Sequence, residues 1–302
     1  MEMRVATFAL SDQMITAALR TQSIMANEQI QESSGVTSED FAGYGSDTQS
    51  IVNLQVSVTR AQTYIDAATQ ADSKVQVMYS AVGSVSTLIT NLRSQLTAAT
   101  TGSSTDAASL ISSAQDMLQE MGSILNTQYD GQYVFSGAST STAPVNLTGF
   151  DSGTGSLSTA NTSYYQGDDE IASVRVADDQ SVDYGVIADN SAFEQVMRVL
   201  RYIANSTSLS SSDISSALNL ASSALDATSI VQSKLSDASS QIESASSQQT
   251  DYKNYASTLG SDLTSVDVAA VTAQLSTYQS QLEASYAAIS KIDSMSLASY
   301  LK

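Results

Sequence analysis

The sequence predicts a mainly α protein: an elongated antiparallel helical bundle or coiled coil formed by both termini, with a small β-rich central insert. Three observations lead there. Apolar residues recur in alternating steps of three and four near both ends of the chain. Only one proline, Pro144, occurs in 302 residues. Between about 130 and 190, glycine and two-residue alternation replace the helical period. Proline is the usual helix breaker, so its near absence leaves long helices uninterrupted.

Residues 4–34 read as a first helix, with Val5, Phe8, Met14, Ile15, Leu19 and Ile24 as its apolar members and Gly35 as a left-handed cap. "GVTSEDFAGYGSD" (35–47) is turn-rich and is expected to be an ordered loop that holds Phe41 and Tyr44 down, with Ser46 or Asp47 capping the next helix.

The most regular signal follows. From Ile51 the three-four path visits Leu54, Val58, Ala61, Ile65, Ala68, Asp72, Val75, Tyr79, Val82, Ser86, Ile89, Arg93 and Leu96, and eleven of the fourteen positions are apolar. At 1.5 Å per residue such a helix approaches about 75 Å and needs a partner of similar length. Asp72, Ser86 and Arg93 either fix the register, face a second partner or are simply solvated. The seam itself serves as intramolecular core or as an interface between subunits.

A break at "TTGSSTDAA", with Gly102 as the stop, leads to a third helix from about 105 to 128, folded back on the second. "TQYDGQYVFSGASTSTAPV" (127–145) then reads as a hairpin. Its aromatics Tyr133 and Phe135 alternate, and Gly131 and Gly137 bracket them. In "IASVRVADDQSVDYGV", Ile171, Val174 and Val176 mark strands and Asp178-Asp179 a turn. Helix resumes near Ala192, continues from about 211 to 255, and ends with a helix from about 262 to 300 carrying Val271, Leu275, Tyr278, Leu282, Ile289 and Ile292 on one stripe.

Composition narrows the function. Alanine supplies much of the 42% hydrophobic content, and no tryptophan is present, which favours long thin interfaces over one thick core. A net charge of −19 repels phosphate, and no basic stripe interleaved with aromatics exists, so neither nucleic acid nor an anionic membrane is an expected partner. No apolar run is long enough to span a bilayer, and the N-terminus lacks the pattern of a Sec signal peptide. Without Cys or His, disulfides, zinc sites and most catalytic triads are out of reach. No enzyme activity, metal or cofactor is expected. The acidic stretches Gly167–Glu170 and Ala177–Gln180 lack the spacing of a calcium loop and read as solvated turns; Lys253, between Tyr252 and Tyr255, reads as a surface lysine.

Several stretches resemble the bacterial flagellin family. "LNTQYDGQYVFSGASTSTAPV" is similar to the hairpin that leaves the family's third helix, "SYYQGDDEIASVRV" to its later Tyr-x-Gly-Asp segment, and "SDLTSVDVAAVTAQLSTYQSQLEASYAAISKIDSMSLASYLK" to its terminal helix. The last includes Leu282, Ala284, Ser285 and Tyr286, and the closing Leu297, Tyr300 and Leu301. The resemblance is greatest to the hook–filament junction (flagellar hook-associated) members. The opening "MRVATFALSDQM", and the loop after Gly35 with no basic residue, depart from the filament pattern; a divergent filament-forming flagellin is the alternative.

The resemblance implies a secreted, extracellular structural subunit, exported unfolded with an export chaperone and polymerised through paired terminal helices. Its partners would be copies of itself in a helical assembly, hook-associated proteins and flagellin. Ile51, Leu54, Val58, Ile65, Val75, Tyr79, Val82, Ile89, Val271, Leu275, Leu282, Tyr286, Ile289, Leu297 and Leu301 would form the packing and assembly seams. The expected divisions are 1–45 (assembly helix and loop), 46–130 (rod), 131–191 (β-rich module), 192–260 (rod) and 261–302 (assembly helix). From long helices alone, a coiled-coil cell-surface protein with a carbohydrate-binding β module is a further alternative.

Overall fold

The computed structural model describes residues 2–101, 104–150, 153 and 155–298, with side chains described for 9–100, 108–150, 153, 155–292 and 294. These residues form six α-helices and two small antiparallel hairpins. The helices are α1 (Glu2–Ser34), α2 (Thr48–Thr101), α3 (Ser104–Leu125), α4 (Ser191–Ala204), α5 (Ser211–Thr264) and α6 (Val268–Ala298). Strands β1 (Gln128–Tyr129) and β2 (Gln132–Tyr133) form one hairpin, β3 (Ser173–Ala177) and β4 (Gln180–Asp183) the other. The chain divides into two compact units: residues 1–59 with 253–302, and residues 60–252.

In the first unit α1 and α6 pack together as an antiparallel pair. Gly35 ends α1 in the left-handed region (φ +72°), and its N–H reaches the Gln31 carbonyl at 2.8 Å. The chain leaving α1 then bridges the joint between α5 and α6. The Thr37 N–H donates to the Thr264 carbonyl (2.8 Å) and the Val266 N–H to the Gly35 carbonyl (3.0 Å). That bridge displaces the expected helix boundary. Gly260 lies inside α5, and the break falls at 265–267, where the Asp267 carboxylate caps α6 by accepting from Ala269 N–H (3.0 Å) and Ala270 N–H (3.1 Å). Replacing Asp267 by Ala should cost about 1 kcal/mol and speed hydrogen exchange in the first turn of α6; unchanged exchange there would remove the cap from the account.

Between α1 and α2 the chain makes a 3-10 turn, Phe41–Asp47. Tyr44 is half-buried and donates its hydroxyl to the Ser38 carbonyl, but Phe41 is exposed, contrary to expectation. The Thr48 hydroxyl, bonded to the Phe41 carbonyl at 2.7 Å, leads into α2. Gly102 lies outside the described residues.

The second unit holds the larger core. α2 and α5 run antiparallel, joined where the Ser239 hydroxyl donates to Asp72 (2.5 Å) and accepts from the Gln76 amide (3.1 Å). α3 packs closely on α4 instead, with the Gln115 amide donating to the Ala204 carbonyl at 3.1 Å. α3 stops at Leu125, three residues short of expectation. There Asn126 turns its side chain across the fold, donating to the Val145 carbonyl and accepting the Val145 N–H, both at 2.9 Å.

The insert is two hairpins set in ordered loops. Asp130 and Gly131 both take positive φ (51° and 73°), the requirement of a two-residue turn whose twist matches its strands. β3 and β4 turn at Asp178-Asp179 as expected, with Val174, Val176 and Val182 inward. Ile171 precedes β3 and is exposed, because the Tyr184 and Gly185 N–H groups close the ladder on the Ala172 carbonyl (2.9 Å each). No helix is long and apolar enough to cross a membrane among the described residues.

Candidate assembly surface

Within the second unit the residues expected on the α2 seam divide. Val75, Val82 and Ile89 are buried, Ile65 is half-buried, and Tyr79 is exposed. The polar positions Asp72, Ser86 and Arg93 also lie outside the buried set, which takes Ala71, Met78, Val85 and Leu92. Two three-four paths share 75, 82, 89 and 96 and differ only in which step comes first. The face is also wider than a two-position seam, since Ala81 and Leu88 are buried too, as expected of a helix that packs against several neighbours.

α5 carries a second seam with little contrast in the sequence. Ile214, Ala217, Ala221, Ala224, Thr228, Val231, Leu235, Ala238, Ile242 and Ala245 are all buried on α5, in unbroken three-four spacing. The signal was the recurring alanine. Among so many Ser and Thr neighbours it gives little hydropathy contrast.

Where the aromatics of the hairpin go answers why the helices pause there. Phe135 is fully buried and meets Phe193 of α4 edge-on (centroids 5.8 Å apart), and its carbonyl accepts the Ala188 N–H at 2.9 Å. Tyr164 is buried with its hydroxyl on the Ala188 carbonyl (2.9 Å) and its ring edge-on to Phe150. Burial, with Glu194 and Asp189 nearby, holds that hydroxyl well above the usual phenol range.

Asp168 clasps the hairpin loop to the later loop. Its carboxylate accepts from Ala138 N–H and the Ser139 hydroxyl, both at 2.8 Å, and from Glu170 N–H at 3.1 Å. The approach is so close that a Cβ on Gly137 would lie 2.2 Å from the carboxylate, and Gly137 also has positive φ (71°). The Ala138 N–H first, then Ser139 and Glu170, lower the Asp168 pKa. The folded state therefore holds this proton less readily than the unfolded chain. The clasp contributes fully above about pH 4, the unfolded value, and is lost as pH falls through the folded one. Denaturation midpoints at pH 7 and pH 3 should converge between Asp168→Asn and wild type on acidification; a constant gap would exclude the linkage.

In the first unit Ile51, Val271, Leu275 and Leu282 are buried, and Leu54, Val58 and Ile289 are half-buried. Leu297 and Leu301 lie outside the residues whose side chains are described. α1 meets α6 with Met14, Ala18, Thr21 and Met25, of which only Ala18 is fully buried. Polar contacts extend the pairing: the Thr272 hydroxyl donates to Glu32 (2.8 Å), and the Gln274 amide, oriented to donate, reaches Glu28 at 3.1 Å.

The larger apolar side chains of α1 point elsewhere. Ile15 (42% exposed), Leu19 (60%) and Ile30 (48%) form a second stripe, with Leu19 about 100° around the helix from Ala18. On α6 Tyr286 is 50% exposed. An exposed apolar stripe on a helix already paired through another face is a candidate surface for a further chain.

Paired terminal helices with an exposed apolar stripe, and a separately packed second unit, are the features of a structural protein rather than of a catalytic cleft. The sequence model for the bacterial flagellin N-terminal helical region matches residues 5–140, and that for the bacterial flagellin C-terminal helical region matches residues 218–301. The chain belongs to the bacterial flagellin family and is a structural subunit of the bacterial flagellum. As such it is exported and assembles with other axial proteins of that organelle.

The fold is also that of two solved structures. One is described as a flagellar hook-associated protein from Vibrio parahaemolyticus (15% identity, 72% of this chain and 97% of that one, TM-score 0.61). The other is flagellar hook-associated protein-3 from Legionella pneumophila (15% identity, 70% and 98%, TM-score 0.57). No curated protein matches the chain by sequence.

Proposed function

We propose that this subunit forms the hook–filament junction, joining copies of itself, hook-associated proteins below and flagellin above. The observation that carries the assembly reading is the uncovered stripe Ile15, Leu19 and Ile30 on a helix already paired with α6. The junction, rather than the filament, is favoured by the loop after Gly35, which has no basic residue, and by the motif residues Leu297, Tyr300 and Leu301. Likeness in fold to two hook-associated proteins accords with it. Residues 1–45 and 261–302 carry the assembly contacts in this reading, 46–130 and 192–260 are the rods, and 131–191 form the module free of those contacts. Tyr286, Leu297 and Leu301 join the seams between subunits.

Passage through the export channel is unfolded, with a chaperone holding the apolar terminal helices. The absence of Cys and the single proline suit refolding at the tip, since no crosslink and little slow isomerisation intervene. Family membership sets aside the carbohydrate-binding surface protein.

The chain has no cysteine, so Ser141→Cys, on an exposed position of the insert, gives a single site for a maleimide dye on living cells. One focus at the base of each filament is expected, and deletion of the protein should leave hooks without filaments. Label along the whole filament would make the protein a filament flagellin.

A further inference from the structure

We draw no further inference here: the strongest candidate, the surface groove between the loop after β4 and α5 lined by Ile171, Val186, Val231, Lys234 and Leu235, is an unpartnered apolar face, and nothing in the structure shows what covers it.

Discussion

Replacing Ile15 and Leu19 together by glutamate should abolish assembly while leaving the isolated subunit as stable as before. Both side chains are exposed on α1 and make no part of the face that meets α6. Surface changes of this kind shift stability by about 0.5 kcal/mol or less. In the proposed assembly the same positions would be buried against another helix, and each Leu or Ile so buried would contribute about 1.5–3 kcal/mol. A carboxylate there loses that contribution and is desolvated without a partner. The loss repeats at every subunit contact, so polymerisation should fail outright rather than weaken. Thermal unfolding of the monomer and electron microscopy of polymerised protein give the two readouts. Ala18→Glu is the control: it lies on the α6-facing side and should disturb the monomer itself. Wild-type assembly by the doubly charged variant would show that the stripe is not an interface.

Glu194→Ala should destabilise the second unit by about 3–5 kcal/mol. Glu194 sits on α4 with its side chain 5% exposed, paired at 3.1 Å with Arg198, itself only 13% exposed. The carboxylate also accepts the Asn161 N–H at 2.8 Å, and Arg198 donates to the Leu157 carbonyl at 3.0 Å. One ion pair thus fastens the 157–161 loop to α4. Removing the carboxylate strands a buried guanidinium and frees a backbone N–H, and both are costly. Urea denaturation should show the loss as a lower midpoint at unchanged slope. Glu194→Gln keeps an acceptor for Asn161 and should fall between. Replacing both partners with apolar residues of similar volume should recover much of the loss, because it is the unpaired charge that is expensive. A midpoint unchanged in Glu194→Ala would mean that water reaches Arg198.

The expected elements emerged where local chemistry is sufficient. Gly35 ends α1 because a left-handed residue is needed there, and Asp178-Asp179 turns β3 into β4. The hairpin after α3 was legible from Tyr133, Phe135 and the flanking glycines. The candidate surface was only half legible. In the sequence Leu19, Ile15 and Met14 read as one apolar set, yet the structure separates them into two faces. Tyr79 falls on the expected α2 seam, but Met78 is buried instead.

What the sequence determined by itself is the succession of long amphipathic helices, their acidic surface and the interruption at 130–190. Period, proline and glycine act through the chain's own backbone and need no partner. Only the tertiary structure decided which of two overlapping stripes is buried, and that Asp168 would meet Ala138 and Glu194 would meet Asn161. Those outcomes depend on which surfaces lie alongside one another. Residues tens of positions apart settle them jointly, by burial and by the need to satisfy each buried polar group.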